Sequence, residues 1–394
     1  KEGDIISIDG TSGTVVVGEV QLKPPTPTKE FNTILSWADE IRRLDVRTNA
    51  DTPEDAEKAR EFGAQGIGLA RTEHMFLGDR LPIVQKMILA EKDEERDEAL
   101  AKLLEVQRKD FLGIYKAMDK LPVNIRLLDP PLHEFLPNLT DLKVELAKME
   151  ANGASEKELN EKRKLIHRVE SMTEANPMLG LRGCRLGIVH PELYKMQVRA
   201  IIESALEWQG QGGEPHVEIM IPLVSVVSEL ELLRKQSEEV IQQVFGERGQ
   251  EVDYKIGTMI ELPRAAITSD EIARQADFFS YGTNDLTQTT FGFSRDDVEG
   301  SFVPKYLEDK ILTANPFETL DQTGTGKLIE MSVELGRKEN ASIKLGVCGE
   351  HGGDPESVKF FHRIGLDYVS ASPYRVPLAR LAAAQAVIEE EENK

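Results

Sequence analysis

After residue 31 the chain repeats one pattern eight times. A short run of β-type apolar residues closes on a polar side chain, and a helical segment follows. The runs are DVRTNA (45–50), GIGLAR (66–71), VNIRLL (123–128), HVEIMIPL (216–223), KIGTMIEL (255–262), DFFSYGT (277–283), KLGVCGE (344–350) and DYVSAS (367–372). Residues 53–62, 192–208, 226–245, 327–338 and the closing PLARLAAAQAVIEEE have the composition or apolar spacing of helices. Alternating strands and helices imply a parallel sheet. Eight such units imply an α/β fold closed as a (β/α)8 TIM barrel rather than an open doubly wound sheet, which usually has fewer strands. A barrel of this kind carries its chemistry at the C-terminal ends of its strands. The polar residues there are Arg71, Arg126, Glu261, Asp285 just past its run, and Cys348, contributed by five separate units.

Two regions fall outside the repeat. Residues 129–181, after the third strand, hold two expected helices around EANGASEKEL, with Ser155 and Glu158 spaced as a capping box. This insertion at the barrel mouth is a candidate lid. Residues 4–20 read as a β-hairpin around DGTSG, and the Pro-rich QLKPPTPTKE (21–30) reads as an extended linker. A lone hairpin is marginal by itself. The expected organisation is therefore a remnant of another domain at 1–22, a linker at 23–31 and the barrel at 32–394.

Charge and cysteine content narrow the function classes. The formal net charge of −21, from 48 basic and 69 acidic residues, argues against nucleic-acid binding because phosphates would be repelled. No apolar run reaches the length of a membrane span, and the opening KEGDIISIDG lacks a signal-peptide pattern. Two cysteines, Cys184 and Cys348, give no disulfide framework, so a reducing cytoplasmic location is expected.

Each candidate site residue has an ordinary rival reading. Glu261 and Asp285, at adjacent strand ends, can share a hard divalent cation, since Mg2+ is content with one or two carboxylates plus water and substrate oxygens. Taken singly, each could instead sit at a helix start and interact with the helix dipole. Arg126 lies in a run expected to be buried, so it needs an anionic partner. That partner is either Glu73, Asp129 or a similar neighbour, or a ligand. Arg71 faces the same choice, with Glu73 close by. Three arginines, Arg71, Arg126 and Arg182, near two carboxylates suggest a ligand bearing carboxylate and phosphate. The lone Cys348 is either a small buried hydrophobe or a reactive thiol. GTGKL (324–328) lacks the first Gly and the Ser/Thr of a phosphate-binding loop and reads as a helix start. His351 could stabilise a turn or take part in chemistry.

Several stretches together carry a resemblance: GIGLARTEHMF, IRLLDPPLHEFLP, NPMLGLRGCR, GTMIELPRAA, FFSYGTNDLTQTTFGFSRDD, GVCGEHGGDP and DYVSASPYRVPLARLAAAQ. They resemble the pyruvate phosphate dikinases over nearly all of 31–390. The related phosphoenolpyruvate synthases and the enzyme I proteins of sugar phosphotransferase systems share GTND and a CG strand end. The resemblance implies a phosphoenolpyruvate/pyruvate-binding barrel that works with an ATP-binding domain and a swivelling phosphohistidine domain, and that pairs as a homodimer. The Gly-rich Ser-His stretch of the phosphohistidine is absent, so this chain alone is not expected to complete the ATP-dependent reaction. The resemblance further implies Mg2+, with Mn2+ able to substitute, on Glu261 and Asp285. Arg71 and Arg126 would hold the phosphoryl group and enolate oxygen, and Arg182, Gly282, Thr283 and Asn284 would help fix the substrate. Cys348 would exchange the proton at the methyl carbon, with Gly349 leaving room for close approach. Ala70 and Ala371 stand where the family usually has cysteine, and Tyr281 where phenylalanine is common. Other readings are a stand-alone Mg2+-dependent lyase or aldolase for 2-oxo acids, a phosphoenolpyruvate synthase relative, and a non-catalytic dimerisation module.

Overall fold

The computed structural model describes residues 3–9, 13–21 and 28–392. Strands β1 (Ile6–Asp9) and β2 (Thr14–Val17) pair antiparallel, with Ile6 opposite Val17 and Ile8 opposite Val15. The expected hairpin is therefore present, while the turn residues 10–12 and linker residues 22–27 lie outside the described residues. Its apolar side chains, among them Ile6, Ile8, Val15, Val16 and Val17, are exposed.

The eight runs are the eight strands of a closed barrel. They are β3 (Asp45–Asn49), β4 (Ile67–Arg71), β5 (Pro122–Arg126), β6 (His216–Ile221), β7 (Tyr254–Ile260), β8 (Phe278–Tyr281), β9 (Lys344–Val347) and β10 (Tyr368–Ala371). Every neighbouring pair is parallel, and β10 closes onto β3 with Val369 opposite Val46. Their near-continuous apolar character follows from burial on both faces, by the helices outside and by the packed interior within. Arg71 and Arg126 end β4 and β5. Glu261 and Cys348 follow β7 and β9 directly, and Asp285 sits in the first turn of the helix Thr283–Phe291.

The interior is not wholly apolar. Leu69, Met220, Met259, Phe278 and Cys348 form an inner cluster separate from the main core. Arg47 is 1% exposed; its Nη1 donates to Glu218 Oε2 at 2.6 Å, and its guanidinium lies 4.1 Å from the centre of the Tyr368 ring. The sequence reading passed over this pair, because an alternation of strand residues does not reveal which two polar ones meet inside.

The insertion after β5 contains the helices Leu139–Ala151 and Glu156–Met172. The second opens with the expected capping box: Glu158 N donates to Ser155 Oγ at 3.3 Å and Ser155 N to Glu158 Oε2 at 2.9 Å. Two further excursions were not anticipated. One follows β4 and includes the helices Leu81–Leu89 and Asp93–Ala117; the other follows β8 with Arg295–Val298 and Val303–Glu308. GTGKL opens the helix Thr325–Glu339, with Lys327 in its first turn. Among the described residues, no helix is long and apolar enough to cross a membrane.

Candidate active site

A cavity of about 520 Å³ opens at the C-terminal ends of the strands, lined by Arg71, Arg126, Glu261, Gly282, Asn284, Asp285 and Cys348. Each side chain is there because its strand ends there, so the parallel register alone gathers residues distant in sequence. Asn49, Glu73, His74, Asp129, Glu350 and Arg375 also line it and were not singled out as functional from the sequence. Glu73 and Asp129 had a signal: each lies within three residues of a strand-end arginine.

The arginines are held by carboxylates. Arg126 is paired with Glu73 and, at 3.1 Å, with Asp129. Burial works against its charge, and Glu73, Asp129 and Glu261 outweigh it, raising its pKa above the ordinary arginine value. The ion-pair rival for Arg126 is thus present in the structure, but its Nε is buried without a hydrogen-bond partner. Arg71 takes a different partner from the one its sequence neighbours suggest. Its Nε lies 3.3 Å from Asp51 Oδ2, while Glu73 has gone to Arg126. Arg182 stands behind the cavity rather than on its wall. It donates to Asp129 Oδ2 at 2.6 Å and Asp285 Oδ2 at 3.2 Å, and lines an adjoining cavity of about 340 Å³.

Glu261 is 1% exposed and accepts from Leu223 N at 2.6 Å. Burial, then the nearby charges of Asp285 and Asp129, push its carboxyl well above the usual carboxylate range, against Arg126 and Arg182. Burial alone would raise Asp129 too, but Arg126 and Arg182 outweigh it and hold that carboxyl low. So Glu261 and Asp285 face one cavity with their repulsion only partly neutralised. Among the described residues, no three His, Cys, Asp or Glu side chains form a ligand group. Two carboxylates lining one polar cavity fit a hard cation such as Mg2+ better than a soft, fully protein-ligated one.

Cys348 is 2% exposed on the cavity floor, and Asn49 Nδ2 donates to its carbonyl at 2.9 Å. Burial pushes its thiol up to about 11, with the Ser280 hydroxyl, Arg126 and Arg71 opposing. Cys184 lies outside this cavity, fully buried, with Sγ 3.2 Å from Leu223 O. Thr283, expected at the substrate, is fully buried with its hydroxyl turned to His351 at 2.7 Å. Gly349 lines the cavity, and a Cβ there would lie 1.9 Å from Thr283 Oγ1, so the backbone comes this close to Thr283 only as glycine.

A family model described as PEP-utilising enzyme, PEP-binding domain, matches residues 26–388. The chain belongs to the PEP-utilising enzyme family. This PEP-binding domain is 57% identical over 394 residues to pyruvate, phosphate dikinase 1, chloroplastic, of Arabidopsis thaliana, covering 98% of the chain and 40% of the relative. It is 53% identical to pyruvate, phosphate dikinase 2 of Zea mays, covering 98% and 43%, and 53% identical to pyruvate, phosphate dikinase of Giardia intestinalis, covering 100% and 44%. The chain thus spans roughly two-fifths of the length of these relatives.

Proposed function

We propose that the cavity binds phosphoenolpyruvate and pyruvate together with Mg2+, or Mn2+ in its place. The chain then forms the half-site of a pyruvate phosphate dikinase at which a phosphoryl group passes between a phosphohistidine on another domain and the enolate oxygen of pyruvate. The observation that carries this reading is the meeting of Arg71, Arg126, Glu261, Asp285 and Cys348 from five strand ends in one cavity.

Glu261 and Asp285 would hold the cation. When bound, it supplies Lewis acidity where negative charge gathers on the substrate oxygens. Arg126 and Arg71 place fixed positive charge beside the same oxygens, and their carboxylate partners hold them still before substrate arrives. The helix Thr283–Phe291 adds first-turn N–H groups with no intrahelical acceptor, suited to an anion. Transfer is then chiefly a matter of positioning and charge neutralisation. As the phosphoryl group leaves phosphoenolpyruvate for the histidine, the enolate C3 takes the proton of the Cys348 thiol and leaves a thiolate. In the opposite direction the thiolate removes that proton. A raised thiol pKa keeps Cys348 protonated at neutral pH, ready for the first of these.

The exposed apolar hairpin supports reading residues 1–22 as the end of a phosphohistidine domain, with 23–31 as linker and 32–394 as the barrel. The helix Lys29–Ile41 buries Leu35 and Ala38 but leaves Phe31, Ile34, Trp37 and Ile41 exposed at helical spacing. That stripe supports pairing of two copies. Both cysteines are free, which supports a reducing compartment; the expected cytoplasm and the chloroplast named for the plant relatives both fit.

Titrating Mn2+ by spin resonance, with and without oxalate, tests the site. Oxalate resembles the pyruvate enolate in charge and shape, so it should tighten Mn2+ binding. The double variant Glu261→Gln with Asp285→Asn should lose both effects, and Mn2+ bound as well as in wild type would mean the site is misplaced.

A further inference from the structure

His351 is fully buried in the turn after β9, where that turn meets the segment after β8 and the excursion that carries Pro316. Its Nε2 lies 2.8 Å from the carbonyl oxygen of Pro316, and its Nδ1 lies 2.7 Å from Thr283 Oγ1. A carbonyl only accepts, so Nε2 carries the proton. In the neutral ring Nδ1 is then an acceptor, and the Thr283 hydroxyl must donate to it. Burial favours this neutral ring by lowering the His351 pKa. The bond to the Pro316 carbonyl, then Asp354 and Glu350, pull the other way, and Arg295 acts with burial.

The contact has consequences for the site. Thr283 begins the segment that carries Asn284 and Asp285, and His351 ends the segment that carries Cys348 and Gly349. The same two segments are joined by Cys348 N donating to Tyr281 O and Glu350 N to Asn284 Oδ1, both at 3.2 Å. Gly349 permits the approach, since any side chain there would collide with Thr283. His351, fully buried like Thr283, extends this seam to the excursion between β8 and β9 through Pro316.

We infer that His351 is a positioning residue: as the Nε2-protonated neutral tautomer it fixes the spacing between the carboxylate end of the site, at Asp285, and its thiol end, at Cys348. This rests on the proposed phosphoenolpyruvate and Mg2+ site. A ligand that spans both ends senses that spacing, whereas a cation held at one end does not. Small displacements of a spanning ligand are costly, because productive geometry tolerates little misplacement.

The test uses the full chain, Mn2+ and oxalate. His351→Phe keeps ring volume and removes both bonds. Its affinity for Mn2+ alone should stay near that of wild type, while the tightening that oxalate brings should fall by about tenfold or more. His351→Asn, which can keep the Thr283 bond, should recover part of that coupling. Full coupling in a folded His351→Phe chain overturns the inference. Absence of coupling in wild type would instead refute the functional reading beneath it. If His351→Phe does not fold, 15N spectra of histidine-labelled wild type decide: an Nε2–H tautomer at neutral pH supports the assignment, and an imidazolium or the Nδ1–H tautomer overturns it.

Discussion

Arg182 Nη2 donates to Asp129 Oδ2 at 2.6 Å and to Asp285 Oδ2 at 3.2 Å, so one guanidinium joins the arginine-rich wall of the site to its carboxylate pair. It places a positive charge beside Asp285, one of the two residues proposed to hold the cation. The arginine is therefore a counter-charge when no cation is bound and a competitor when one is.

Removing that competitor should help the bare metal. Arg182→Met is expected to bind Mn2+ at least as tightly as wild type, because a like charge beside the cation is gone. The same variant should bind oxalate more weakly, since a nearby positive charge is lost. Calorimetric titration of each ligand separates the two effects, and weaker Mn2+ binding in Arg182→Met would contradict this account.

The pH dependence has a definite sign. The Glu261 carboxyl has a raised pKa in the folded chain, so its contribution to stability is fully present below the unfolded carboxylate pKa. That contribution is lost as pH rises through the raised value. A cation must displace the same proton, so the increase in melting temperature on adding Mn2+ should grow from pH 5 to pH 8 (~3 units apart). Glu261→Gln should flatten this dependence. An Mn2+ effect that is equal at both ends of the range would count against Glu261 as the titrating group.

The buried pair below the site is structural. Arg47→Ala leaves Glu218 buried beside Tyr368 without its partner, and a loss of about 3–5 kcal/mol is expected. Arg47→Met with Glu218→Leu should regain most of it, because well-packed apolar replacements avoid the desolvation cost of both ions. Urea midpoints measure both outcomes, and a neutral Arg47→Ala would remove the argument.

For Cys348 the two rival roles diverge on substitution. Cys348→Ser changes little volume, so Mn2+ and oxalate binding should survive. Deuterium exchange at the pyruvate methyl, with a phosphohistidine domain supplied, should fall steeply. Exchange within a few-fold of wild type would leave Cys348 as a packing residue.

The stripe on the helix Lys29–Ile41 gives a test of assembly. Trp37→Glu should abolish self-association by this face in sedimentation, without altering Mn2+ binding in the strand-end cavity, which the helix does not line. A wild-type chain that sediments as a monomer at all concentrations would rule out pairing by this face.

What the sequence determined by itself was local and periodic. Apolar runs such as HVEIMIPL and KIGTMIEL mark strands because burial on both faces demands continuous apolar residues, and the intervening helical spacing demands parallel pairing. The barrel, its eight strands and the polar residues at their ends follow from that. The Ser155–Glu158 cap was legible for the same reason: both partners lie within one turn. The sequence offered Glu73 and Asp129 as partners for Arg126, but only the tertiary structure decided which charges meet across the barrel. Arg126 chose Glu73 across 53 positions, Arg182 reached Asp285 across 103, and Arg47 found Glu218 across 171. It also turned Thr283 away from the cavity, into His351. Ion pairs and hydrogen bonds depend on distances of a few ångströms between side chains, and barrel closure sets those distances. Beyond a local pair such as Arg126 and Asp129, no spacing along the chain encodes them.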